Sequence, residues 1–107
     1  MAFAHLSSDQ LANWLDIKPS EITIIDIRDK GSYDQSHISG AAHVDNNTVS
    51  EFVASTDKNK PLVVCCYHGN SSQGAADYMS EQGFTETYSL DGGFEEWRQK
   101  SLFISTP

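Results

Sequence analysis

Two adjacent cysteines, Cys65 and Cys66, end a β-rich apolar run and are followed at once by Tyr67-His68-Gly69-Asn70-Ser71-Ser72. Gly69 and Asn70 are residue types that accept positive φ, and the serines are suited to opening a helix. Successive backbone N–H groups are therefore expected to curl around one anionic atom, the sulfur of Cys66. A ring of amides at a helix N-terminus brings a thiol pKa from about 8.5 into a range of about 3.5 to 7.5, so thiolate forms without a dedicated base. The same donors would hold a negatively charged substituent on the sulfur, such as a persulfide. Cys66 is the expected nucleophile, and residues 67–72 its binding loop. With the amides supplying the thiolate, His68 is expected to line the mouth of the site rather than to transfer a proton.

Other chemistries of the same residues fare less well. A cysteine phosphatase or arsenate reductase also cradles an oxyanion between strand and helix, but closes its loop with an arginine. Ser72 and Gln73 occupy those positions, so the bidentate fork for phosphate or arsenate has no local source. Zinc would need ligands able to turn toward one point. Cys65 and Cys66 are neighbours on a strand and point apart, with His68, His37 and His43 as the remaining candidates, so no metal is expected. Cys65 is expected to act as a small buried apolar residue, because a bridge to its neighbour would close a very small strained ring. Two unbridged thiols suit a reducing compartment.

Elements must bring this loop to an edge of the fold. Residues 22–27 and 62–66 are short, β-rich and almost continuously apolar, as expected of parallel strands covered on both faces. Residues 41–44 and 87–90 are further strand candidates. Ser7 to Gln10 forms a capping box, with Leu6 and Leu11 placed as a hydrophobic staple, so a helix begins there and Pro19 ends it. Its Trp14 is expected in the core. Residues 47–56 carry Val49, Phe52 and Val53 at helical spacing, residues 71–82 carry Ala75, Ala76, Tyr78 and Met79, and residues 94–100 form a last short helix. Gly83 stops the second of these, and Asp91-Gly92-Gly93 is a turn. The alternation predicts an α/β fold with a mostly parallel central sheet, whose chemistry sits at the carboxyl ends of the strands. Asp26 and Arg28, at the end of one strand, are expected to brace nearby loops or each other. His37, Gly40, Gly92 and Gly93 are expected to fix turns and packing, and Leu102-Phe103-Ile104 to pack back on the domain.

The length of 107 residues fits one domain over 1–107 with one core, and 38% hydrophobic content describes an ordinary globular chain. No apolar run nears the roughly 18 residues that span a bilayer, and Met1 to Leu6 lacks the basic start of a secretory signal, so a cytoplasmic address is expected. With 15 acidic against 7 basic residues the net charge is -8, which opposes nucleic acid and anionic membranes.

In the loop Cys66 to Ser72 the chain resembles the rhodanese family. The resemblance extends to Asp26-Ile27-Arg28, His37-Ile38-Ser39-Gly40-Ala41, Gly74-Ala75-Ala76, and the stretch from Tyr88 to Trp97, which together span most of the sequence. It implies a rhodanese-like sheet of four to five strands with helices on both faces. The implied activity is a thiosulfate sulfurtransferase: Cys66 takes sulfane sulfur, releases sulfite, and passes the persulfide sulfur to cyanide or a thiol acceptor such as thioredoxin. The resemblance calls for no metal or organic cofactor, and implies that Gly69, Asn70, Ser71 and Ser72 act mainly through their main chain. Ser36 departs from the glycine of many relatives, and Cys65 is an added thiol; neither removes the loop. Relatives that lack the cysteine leave a second reading, a partner-binding module without catalysis, which the intact loop weakens.

Overall fold

The two apolar runs form the centre of a sheet. In this computed structural model, which describes residues 3–100 and 103–105, β2 (Thr23–Asp26) lies parallel to β5 (Leu62–Cys65). Every residue of β5 is buried, the reason its sequence does not alternate. Outside this pair, β4 (Ala42–His43) adds to β2 and β6 (Thr87–Leu90) to β5, and β1 (Phe3–Leu6) forms the far edge. The order is β1-β6-β5-β2-β4, parallel throughout. The expected α/β sheet is present with five strands, β1 being the one the sequence reading lacked.

Consecutive residues of the strands feed different cores, as a period of two requires. Ile24, Val63, Cys65 and Leu90 pack beneath α1 (Ser8–Ile17) and α5 (Gly93–Gln99), with Leu11, Phe94 and Trp97. Ile25, Leu62 and Val64 pack on the opposite face beneath α3 (Val49–Ser55) and α4 (Ser71–Glu81), with Ala76, Met79 and Phe52. Helices thus cover both faces. The capping box that starts α1 is complete: the Gln10 N–H donates to Ser7 Oγ at 3.1 Å, and the Ser7 N–H to Gln10 Oε1 at 3.0 Å. Trp14 is half-buried rather than fully in the core, edge-on to Tyr88 at 5.3 Å.

Three short elements complete the fold. A six-residue helix, α2 (Lys30–Gln35), follows β2, and β3 (His37–Ile38) pairs antiparallel with β7 (Ile104–Ser105). The tail is therefore packed back through Ile104 against Ile38, while Phe103 is exposed and Leu102 lies outside the described residues. His37 stacks on Tyr33 at 3.9 Å. No helix among the described residues is long and apolar enough to cross a membrane.

Candidate active site

Cys66 stands one residue beyond β5, where the strand gives way to the loop, and is 4% exposed. Its Sγ accepts hydrogen bonds from the Gly69 N–H at 3.1 Å and the Ser72 N–H at 3.3 Å, and Ser72 Oγ lies 3.2 Å away. The second amide belongs to the first turn of α4, whose leading N–H groups have no partner within the helix. The sulfur occupies the place of that partner.

Gly69 makes the turn possible. Its φ is +92°, and a Cβ there would lie 3.0 Å from the Gly92 nitrogen and 3.1 Å from the Leu90 carbonyl oxygen. Asn70, by contrast, has φ of −93° and gives no side-chain cap to α4, so the positive φ anticipated for it is not used. Among the described residues the amides on the bare sulfur are those of Gly69 and Ser72, a narrower cradle than a full ring. The side chains of Tyr67, His68, Asn70 and Ser71 are exposed around it.

Three supports of the loop come from elsewhere in the chain. Behind the sulfur, Ser72 Oγ and Ser89 Oγ are 2.7 Å apart, both wholly buried, and Ser89 belongs to β6. Below the loop, the first amides of α5 bind its carbonyls: the Phe94 N–H donates to Cys66 O at 2.8 Å and the Glu95 N–H to Tyr67 O at 3.0 Å. Gly93 permits this approach, since a Cβ on it would fall 2.5 Å from Cys66 O and Tyr67 O. At the side, the Tyr67 hydroxyl donates to Asp29 Oδ1 and lies 3.0 Å from Ser32 Oγ. Asp29 is itself the N-cap of α2, and the backbone and hydroxyl hydrogen bonds from Ser32 hold its carboxyl below the usual range. The sequence reading missed Ser89, Asp29 and Ser32. An Asp-x-x-Ser pattern could have signalled the α2 cap, but nothing local tied it to Tyr67.

Asp26 and Arg28 meet each other rather than the sulfur. Arg28 Nε donates to both Asp26 oxygens at 3.0 Å and Nη2 to Oδ2 at 2.7 Å, with both side chains buried. The same Nη2 donates to Ser36 O at 2.8 Å, and the guanidinium lies over the Phe94 ring at 4.2 Å. Ser36 contributes its carbonyl to this contact, which a glycine would supply equally. Cys65 points to the α1 and α5 side, fully buried. Burial, with the Asp26 carboxylate adding, pushes its thiol well above the ordinary range. His43 Nε2 faces Arg28 O at 2.7 Å and His37 Nδ1 faces Tyr33 O at 2.8 Å, so each ring has a backbone partner away from the sulfur.

Known proteins resemble this chain in sequence and in fold. Residues 7–100 match the rhodanese-like domain. The thiosulfate sulfurtransferase GlpE of Pseudomonas paraeruginosa is 60% identical over 75 residues, which covers 70% of this chain and 68% of that protein. Its namesake from Shewanella oneidensis is 47% identical over 98 residues, covering 92% and 95%. A rhodanese-like domain from Anabaena sp., solved in solution, superposes with a TM-score of 0.86 at 22% identity over 96% of this chain and 79% of that one. A crystal structure of a rhodanese-like domain protein from Staphylococcus aureus gives 0.76 at 22% identity, covering 90% and 91%.

Proposed function

Since the chain belongs to the rhodanese-like domain family and is a sulfurtransferase, we propose that Cys66 is its sulfur carrier and thiosulfate a donor. The observation that carries the reading is the pair of amides, Gly69 and Ser72, converging on Cys66 Sγ. In the first half-reaction the Cys66 thiolate attacks the outer sulfur of thiosulfate. The sulfur–sulfur bond of the donor breaks, sulfite leaves with its electron pair, and a persulfide anion remains on Cys66. In the second, an acceptor thiolate or cyanide attacks the outer persulfide sulfur and Cys66 departs as thiolate. Charge and electrons balance in both halves without an oxidant or reductant. Preorganised N–H donors suit such a cycle because the negative charge never leaves their reach. The exposed side chains of Tyr67, His68, Asn70 and Ser71 frame the mouth in this reading, around the Gly69 and Ser72 amides that meet the sulfur. Asp26 and Arg28 act at one remove, as the brace beneath Tyr67 and Phe94.

The acceptor in this reading is a thiol, one carried by a protein such as thioredoxin included, and the two unbridged cysteines suit the reducing cytoplasm. Intact mass after incubation with thiosulfate tests it. One added sulfur atom is expected on the native protein and on Cys65→Ser, none on Cys66→Ser, and cyanide should remove it as thiocyanate. His68→Ala should retain most of the transfer. Absence of sulfur uptake by the native chain would leave the partner-binding reading in place.

A further inference from the structure

A cleft of about 480 Å³ opens between α3 and α4 beyond the carboxyl ends of β2 and β4. Ile27, Val44, Val49, Ala75 and Met79 line it, with Tyr78 and Asp45 exposed at its rim. By the alternation of a strand, Cys66 falls on the same sheet face as Val64, the face this cleft opens on. Val64, Ala76 and Met79 belong to one core, and the Ser72 amide that meets Cys66 Sγ lies on α4 one turn before Ala75, about 5 Å along the helix. On the other wall, the Ile27 N–H donates to Cys65 O at 2.9 Å, which ties the cleft to the backbone beside the nucleophile. Neither the cyanide ion nor thiosulfate needs apolar surface of this extent.

Resting on the reading of Cys66 as sulfur carrier, we infer that this cleft seats the body of the acceptor, and that the acceptor is an uncharged apolar thiol. Its volume falls in the range of small-molecule sites, and its walls are apolar side chains. Its charges exclude the alternative. Among the described residues no lysine or arginine lines it, and Asp45 on its rim stays ionised because the Asn47 and Thr48 amides donate to it at 2.9 and 3.1 Å. The whole chain adds a net charge of -8. An anionic thiol would bring a second negative group to that rim, where Asp45 already faces the His43 ring at 4.0 Å and no lysine or arginine stands among the described lining residues. A neutral ring or alkyl body gains burial against Val49, Ala75 and Met79 while its sulfur reaches the persulfide. The transfer is the second half-reaction above: the acceptor loses its proton to solvent, its thiolate takes the outer sulfur, and the Cys66 thiolate is the leaving group.

Two thiols of one shape separate the possibilities: para-thiocresol, with a neutral body, and para-mercaptobenzoate, with an anionic one. The enzyme is first loaded with thiosulfate, and loading is checked by mass; turnover of the persulfide by each thiol and by cyanide is then followed. The neutral thiol is expected to show about tenfold higher kcat/KM than the anionic one, whose carboxylate keeps its ring from being buried in the cleft. Ala75→Phe, which fills the cleft, should remove that advantage by raising KM while transfer to cyanide is unchanged. Asn46→Lys, at the exposed rim, leaves the packing intact and should raise kcat/KM for the anionic thiol several-fold. Equal use of both thiols, or Ala75→Phe and Asn46→Lys both leaving the two ratios unmoved, overturns the inference although sulfur loading succeeds. Failure of loading itself overturns the sulfur-carrier reading on which it rests.

Discussion

Two backbone donors and a hydroxyl act on one sulfur, and side chains matter there mainly through where they hold those donors. Ser72 is the exception, since its hydroxyl lies 3.2 Å from Cys66 Sγ and 2.7 Å from Ser89 Oγ. Ser72→Ala keeps the amide and removes a hydrogen bond to a charged group, worth roughly 1.5–3 kcal/mol. A fall in kcat of about tenfold or more is expected, with Cys66 still able to take up sulfur by mass; an unchanged rate would mean the hydroxyl is idle. Cys65 offers the opposite test. Burial raises its pKa well above the ordinary thiol value, so at pH 8 it remains a neutral, enclosed thiol. Iodoacetamide at that pH should alkylate Cys66 alone in the folded protein and both cysteines after denaturation, read by peptide mass. Cys66 and its loop were legible in the sequence because strand, glycine and serines are contiguous. Ser89 was not, since its approach depends on the register of β6 against β5, which no local pattern reveals.

At the scale of elements, α4 delivers an amide to the sulfur while α5 secures the loop beneath it through Cys66 O and Tyr67 O. Gly93 is where α5 can be pried off. Its φ of +59° disfavours a side chain, and a Cβ would collide with loop backbone at 2.5 Å. Gly93→Ala should therefore cost at least ~2 kcal/mol, a melting-temperature drop on the order of 10 °C, and should slow sulfur uptake by displacing the loop. Gly40→Ala is the matched control. Its φ is +85° but, among the described residues, nothing lies within 4 Å of the added carbon, so strain alone of about 1 kcal/mol and normal transfer are expected. If both variants melt and react alike, the close approach of α5 has no role. The elements that the sequence disclosed are those with strong local signals: the continuously apolar β2 and β5, the capped α1, and α4 with its apolar stripe. β1 alternates poorly, with two exposed residues in the middle, α2 has a glycine and no apolar face, and β3 and β7 are two residues each. Such pieces are fixed by partners distant in sequence, with little periodicity of their own.

The whole molecule sets a long-range field against the short-range one at Cys66. A net charge of -8 repels a dianion such as thiosulfate from afar, whereas the amides at 3.1 and 3.3 Å stabilise negative charge only once it has arrived. Salt treats the two differently. The Debye length falls from about 30 Å at 0.01 M to about 8 Å at 0.15 M, so the repulsion between exposed charges is screened while buried hydrogen bonds a few ångströms long are not. Raising ionic strength over that interval is thus expected to increase kcat/KM for thiosulfate several-fold, chiefly through a lower KM, and to change attack by a thiol of uncharged body, a monoanion once deprotonated, by a smaller factor. Stopped-flow measurement of sulfite release at a series of salt concentrations, with a non-binding salt and constant pH, decides it. A rate that falls with salt would show that the electropositive start of α4 dominates the approach of the donor and that the acidic surface lies too far from the mouth to matter.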